Sequence, residues 1–200
     1  MPFYLRWAVL FGHDTGVISG ALLFIRQDLA LSPTVQGIVV GIVLAGAMIG
    51  AAVAGSPSDR FGRRRVILAV AVLFTAGACI SAVAAGLTLL LAGRFLVGLA
   101  IGVASMLTPL YLAETSPARE RGAIVSLNQL CITLGILVSY LVGFALAQMN
   151  EGWRWMLGIG ALPGVILWID MLILPESPRW LAGHGRTEDA RSGLAPCFGC

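Results

Sequence analysis

Two charges stand in long apolar surroundings, Asp14 and Arg94. An ionisable side chain inside a membrane-crossing segment costs about 2.5–3.5 kcal/mol on insertion scales, and more by simulation. Such residues persist by pairing with one another or by facing a watery cavity. One reading of these two is a static structural ion pair. The other is a proton switch. Desolvation favours the neutral acid and a nearby guanidinium favours the carboxylate, so an aspartate held between them can exchange a proton when solvent access changes. Such a switch needs no cofactor beyond the proton itself. The spacing alone does not say that the two residues touch.

A second kind of chemistry lies in the mixed-charge loops. One runs Gly55-Ser56-Pro57-Ser58-Asp59-Arg60-Phe61-Gly62-Arg63-Arg64. Its glycines permit a tight turn, and Asp59 can hold arginines or a helix N-terminus. Two more follow, Glu114 with Arg119 and Arg121, and Glu176 with Arg179. Exposed ion pairs contribute only about 0–1 kcal/mol, so solvated loop charge is the plain reading. A network that forms in one conformation only could still bias an equilibrium of a few kcal/mol. These residues are therefore candidates for a cytoplasmic gate or latch.

The elements that must carry these residues are membrane helices. The chain has 200 residues, of which 58% are hydrophobic and only 12% charged. Its mean hydropathy is +0.91. A soluble domain has about a quarter of its residues charged, so this chain cannot cover itself with polar side chains. Disorder, a coiled coil and a nucleic-acid binder are excluded for the whole chain. Residues 29–58 and 122–150 carry no charge, 66–113 carry only Arg94, and 155–174 only Asp170. The 66–113 interval would extend about 72 Å as one helix, against roughly 30 Å of hydrocarbon. It must be two helices, turning near Gly86 to Thr88. The expectation is an all-α membrane protein with six transmembrane helices at about 3–25, 34–55, 66–86, 88–112, 123–147 and 155–174, each near the roughly 20 residues that a span needs. Residues 175–200 form a tail.

Six spans put both termini on one side. All 13 basic residues are arginine, and most lie after spans 2, 4 and 6. Only Arg26 and Arg154 fall on the opposite side. Positive-inside bias then predicts a multi-pass cell-membrane protein with both termini cytoplasmic. The pairs Gly37/Gly41, Gly46/Gly50 and Gly98/Gly102 have the small-xxx-small spacing that lets helices approach in lipid. Cys79 and Cys131 read as small buried hydrophobes. Cys197 and Cys200 form a C-x-x-C with no second ligand pair, so no metal site is expected. No nucleophile–base pair or phosphate loop points to an enzyme.

Together these residues resemble a known family. Gly55-x-x-x-Asp59-Arg60-x-Gly62-Arg63-Arg64 looks like the loop signature of the major facilitator superfamily. Pro175-Glu176-Ser177-Pro178-Arg179 resembles the motif after span 6 in its sugar porter branch. Pro109 to Gly122, Gly93-Arg94 and Asp14-Thr15-Gly16-Val17-Ile18-Ser19-Gly20 are similar to further motifs of that branch. The resemblance covers about residues 8–194. It implies one half of a major facilitator fold, built as two inverted three-helix repeats. It also implies monosaccharide transport, with Asp14 working with Arg94 in proton coupling and Gln129 hydrogen-bonding sugar hydroxyls. An amide suits a polyol because it both donates and accepts. Helix–helix bonding is the alternative role for Gln129.

The chain departs from the family in several places. His13 stands where the family commonly has tyrosine, as a neutral replacement or as a second titrating group. Asp170 stands where a small or apolar residue is expected. The tail after about residue 194 resembles nothing in the family. The family has twelve spans, so the missing C-terminal six-helix half is an expected partner, along with the sugar and the bilayer. A truncated reading frame is expected from the abrupt tail. Two other functions stay open, a membrane fragment without autonomous transport and an uncoupled sugar facilitator.

Overall fold

The computed structural model describes residues 2–28, 32–115, 121–147, 149, 152–173, 176 and 180–181; the side chains of some residues within these ranges are also left undescribed. The described residues form helices α1 (Pro2–Asp28), α2 (Pro33–Val53), α3 (Gly55–Phe61), α4 (Arg63–Ala82), α5 (Leu87–Thr115), α6 (Arg121–Leu146), α7 (Gly152–Ile159) and α8 (Ala161–Ile173). Five stretches are long and apolar enough to cross a membrane, the pair α7–α8 counting as one. The sixth is α1. Its 27 residues extend about 40 Å, more than the hydrocarbon thickness.

Local chemistry sets where these helices start and stop. Ser32 caps α2, accepting from the Val35 amide at 3.4 Å, with Pro33 in the first turn. Proline there is tolerated because the missing N–H would be unsatisfied anyway. Proline further inside a helix lacks a donor and crowds the carbonyl four residues back. Helix α2 ends at Val53, four before Pro57, and α7 ends at Ile159, four before Pro163. The sixth span is therefore not the single helix expected over 155–174. It is two pieces parted at Gly160, because an apolar run signals a crossing but says nothing about its continuity.

Helix α1 packs on α6, and α2 packs on α5. Helix α4 packs on α5, as α1 does on α7 and α8, and α4 also meets α7 and α8. Exchanging the triplet α1–α2–α4 with α5–α6–α7/α8 leaves this pattern unchanged. That is the relation expected of two inverted repeats.

Glycines set the closest approaches. A Cβ at Gly46 or Gly50 would strike the backbone of α5 around Phe95 and Leu99, and one at Gly98 or Gly102 would strike Val43 or Ala47 of α2. Gly37 and Gly41 have the same spacing but nothing near them. Only two of the three pairs are helix contacts.

One buried cluster joins Ile67, Leu107, Tyr111, Leu167 and Met171. Another, towards the opposite end, joins Ile25, Val39, Leu90, Trp153 and Met156. The exterior is equally apolar, with Phe144 84%, Ile173 78% and Met48 75% exposed. Cys79, expected to be buried, is also exposed, whereas Cys131 is buried. Lipid-facing and core-facing positions share one composition, so hydropathy cannot separate them.

Candidate functional site

Helices α1 and α5 each pack tightly on other neighbours, and one ion pair crosses between them. Arg94 Nη1 lies 3.1 Å from Asp14 Oδ1. Both are buried, Asp14 at 7% exposure and Arg94 at 2%. Gly93 helps to place the arginine. A Cβ there would collide with Ser81 and the Gly77 carbonyl of α4, so its absence lets α4 lie against α5 beside Arg94. On the other side, Gly12 and Gly16 bring α1 against Ile132, Ile136 and Ser139 of α6.

A buried pair of this kind is a poised arrangement. Removing one partner strands the other charge and typically costs 3–5 kcal/mol. Adding a proton to the carboxylate removes that charge without removing the residue. Arg94 Nε has no partner among the described residues, so the guanidinium is incompletely held. His13, the residue before Asp14, is 5% exposed.

Gln129 is not brought to this pair. It lies exposed on α6, and its backbone carbonyl accepts from Thr133 Oγ1 at 3.1 Å. Asp170 sits half-buried on α8.

The loop residues form a clasp between α4 and α8. Glu176 Oε1 accepts from the Arg64 backbone amide at 2.9 Å. Arg64 Nε and Nη2 donate to the carbonyls of Met171 and Leu172 at 2.8 and 2.7 Å. Glu176 thus caps the start of α4, and Arg64 caps the end of α8. Glu176 supplies the acceptor that the N-cap of α4, Gly62, cannot, and Arg64 satisfies carbonyls in the last turn of α8. Gly62 has φ 94°, a conformation that L side chains rarely adopt, and it abuts the Glu176 carboxylate.

Asp59 pairs with Arg63 at 3.1 Å, and Arg63 also donates to the Ser58 carbonyl at 3.3 Å. Arg60 lies over the Phe61 ring, 5.5 Å from its centroid. Gly55 has open space around it. Glu114 is the penultimate residue of α5 and Arg121 opens α6, but their side chains, like Arg179 and the Cys197/Cys200 tail, fall outside the described residues.

Sequence reasoning missed Trp180, whose Nε1 donates to the Asp59 carbonyl at 2.8 Å. It also missed the targets of Arg64. A large aromatic just after the Pro175–Arg179 motif was the available signal for the first. The second had no signal, since a backbone carbonyl has no residue type.

The family model described as "Sugar (and other) transporter" matches residues 4–197. The chain belongs to the sugar porter family of the major facilitator superfamily. This is a family of transporters, not of enzymes. The sugar porter chain is 49% identical over 183 residues to the glucose transporter GlcP of Staphylococcus epidermidis, covering 92% of this chain and 41% of that protein. It is 46% identical over 203 residues to inositol transporter 4 of Arabidopsis thaliana, covering 96% of this chain and 35% of that one. Its fold matches the proton:xylose symporter XylE bound to 6-bromo-6-deoxy-D-glucose, with a TM-score of 0.91 at 32% identity, covering 98% of this chain and 48% of that structure. The chain thus spans about two fifths of the curated relatives' length. It has the architecture of the N-terminal half of a major facilitator fold and is a multi-pass membrane protein.

Proposed function

We propose that this chain is the N-terminal half of a proton-coupled monosaccharide transporter. The observation that carries the reading is the buried Asp14–Arg94 pair joining α1 to α5. A membrane protein retains such a pair at a cost, and its stability changes with a single proton. The similarity to glucose, inositol and xylose transporters supports a sugar as cargo.

In this mechanism both termini lie in the cytoplasm. Water from the outer side reaches Asp14, and a proton neutralises the carboxylate. Arg94 is released and the contact between α1 and α5 loosens. Sugar binds against Gln129 and a C-terminal six-helix half. The halves rock, and the cytoplasmic clasp of Arg64 and Glu176 opens with them. The Asp59–Arg63 pair and the residues Gly55, Arg60, Gly62, Glu114, Arg121 and Arg179 belong to that cytoplasmic gate. Sugar and proton then leave inward, and the Asp14–Arg94 pair re-forms. No cofactor takes part beyond the proton.

The test is sugar-driven proton movement in proteoliposomes. The chain is reconstituted alone and together with the C-terminal half of the Staphylococcus glucose transporter. Glucose, xylose and inositol are each added to liposomes carrying a pH dye. Uptake of protons with sugar, lost in Asp14→Asn, is the expected result for the paired halves. Sugar uptake that stays uphill in Asp14→Asn removes Asp14 from the coupling role. Sugar entry that never moves protons identifies a facilitator instead.

A further inference from the structure

His13 is buried, and neither ring nitrogen has a hydrogen-bond partner among the described residues. Buried polar groups are nearly always paired, because leaving one unpaired costs about 1–3 kcal/mol. An apolar ring would avoid that cost. A histidine kept in this state is open to a partner that comes and goes, and two surroundings say that the partner is a proton.

The first is Asp14, the next residue along α1, whose carboxylate is shared with Arg94. The second is the broken sixth span. His13 Nδ1 lies 4.0 Å from where a Cβ on Gly160 would be, so the ring faces the break between α7 and α8. The last carbonyls of α7 have no continuing helix to bond, and a helix C-terminus carries partial negative charge that favours a cation. An imidazolium at His13 would thus lie between a carboxylate and a helix C-terminus.

We infer that His13 is a second proton-binding group of the Asp14–Arg94 site. Its proton supplies a positive charge beside Asp14 once the acid has given up its own proton and before Arg94 returns, so that the carboxylate is not stranded. The proton arrives from water as the site opens outward, resides on the imidazole, and returns to water on the opposite side.

The other ionisable groups around α1 are few. Helix α5 brings Arg94, which opposes a second cation. Helix α6 brings Arg121 at its start, buried Cys131 and exposed Tyr140. Helix α7 brings Arg154, whose guanidinium lies over the Trp153 ring. Helix α8 brings Asp170, and α2 brings none. Arg154 and Asp170 lie about 9 and about 15 Å along the span from Gly160, at roughly 1.5 Å per residue. Asp14 and Arg94 are therefore the charges that govern His13.

The inference rests on the coupled-transport reading only for its consequence in turnover. Its test needs neither sugar nor a second half, so the two can fail separately. The chain has two histidines. His184→Gln leaves His13 as the sole ring, and 15N-histidine spectra are recorded in lipid nanodiscs from about pH 4 to about pH 9, the range over which histidines titrate. The ring should titrate within that range. Asp14→Asn should lower the midpoint by about one unit or more, a tenfold change in proton affinity. Asp14→Glu, which keeps the charge, should hold it and guards against a variant that does not fold. A ring that keeps one protonation state throughout overturns the inference. So does a midpoint that is the same in Asp14→Asn, Asp14→Glu and the parent chain.

Discussion

Arg94 and Arg64 are both held by another helix, but Arg94 binds a carboxylate and Arg64 binds backbone carbonyls. The difference follows from depth. Within a span, each backbone carbonyl already accepts from the amide four residues on, and the surrounding lipid offers no water to substitute. An arginine there can find only another charge. At Met171 and Leu172, the last turn of α8 leaves carbonyls without intrahelical donors. An arginine at that level can cap a helix and needs no acid of its own. The central contact can therefore be changed by a proton, because a carboxylate titrates. The Arg64 contacts cannot, because a carbonyl does not. The centre responds to chemistry and this end responds to geometry.

Arg94→Leu should break this comparison most forcefully. It strands Asp14 at 7% exposure, and losing one member of a buried pair costs about 3–5 kcal/mol. The double variant Asp14→Leu/Arg94→Leu should be more stable than Arg94→Leu alone, since no lone charge remains. Unfolding followed by tryptophan fluorescence in mixed micelles would give both values. If the double variant loses the sum of the two single losses, the residues are not coupled and the central site is two solvated charges.

Gly62→Ala tests the other region at its most constrained point. The residue holds φ 94° and abuts Glu176. Backbone strain of this kind costs about 1–3 kcal/mol, and the new methyl group must displace the carboxylate from the α4 N-terminus. Gly55→Ala is the internal control, because nothing lies near Gly55. It should change stability by no more than about 0.5 kcal/mol. Equal losses at the two glycines would mean that the clasp imposes no geometry of its own.

The same contrast explains what could be read in advance. Charge is so costly in lipid that the intervals almost free of it marked the crossing helices, and two of the exceptions, Asp14 and Arg94, proved to be paired, while Asp170 did not join them. Asp14 and Arg94 were legible because each broke a strong rule. Arg64 was legible as important but not in its action, since its partners are carbonyls of Met171 and Leu172, which any residue could supply. The break at Gly160 was missed although Pro163 signalled it, because hydropathy dominated the reading of that segment. The exposure of Cys79 and the open faces of Gly37 and Gly41 were illegible for a different reason. In water a helix shows its core face by composition, but in lipid the outer face is as apolar as the inner one.

The smallest expected effect belongs to Glu176→Gln, and it separates the two regions most finely. Glutamine keeps an oxygen to accept from the Arg64 amide, so the hydrogen bond can survive. What is lost is the negative charge at the N-terminus of α4, an interaction of about 0.3–1 kcal/mol that salt screens. Raising salt should therefore narrow the stability gap between Glu176→Gln and the parent chain. The gap between Arg94→Leu and the parent should not narrow, because the buried pair is shielded from mobile ions. Measuring both gaps at about 0.05 and about 1 M salt, where the Debye length falls to about 3 Å, decides the matter. If the Glu176 gap ignores salt, the carboxylate acts as a buried partner, and the clasp is electrostatically the same kind of site as the centre.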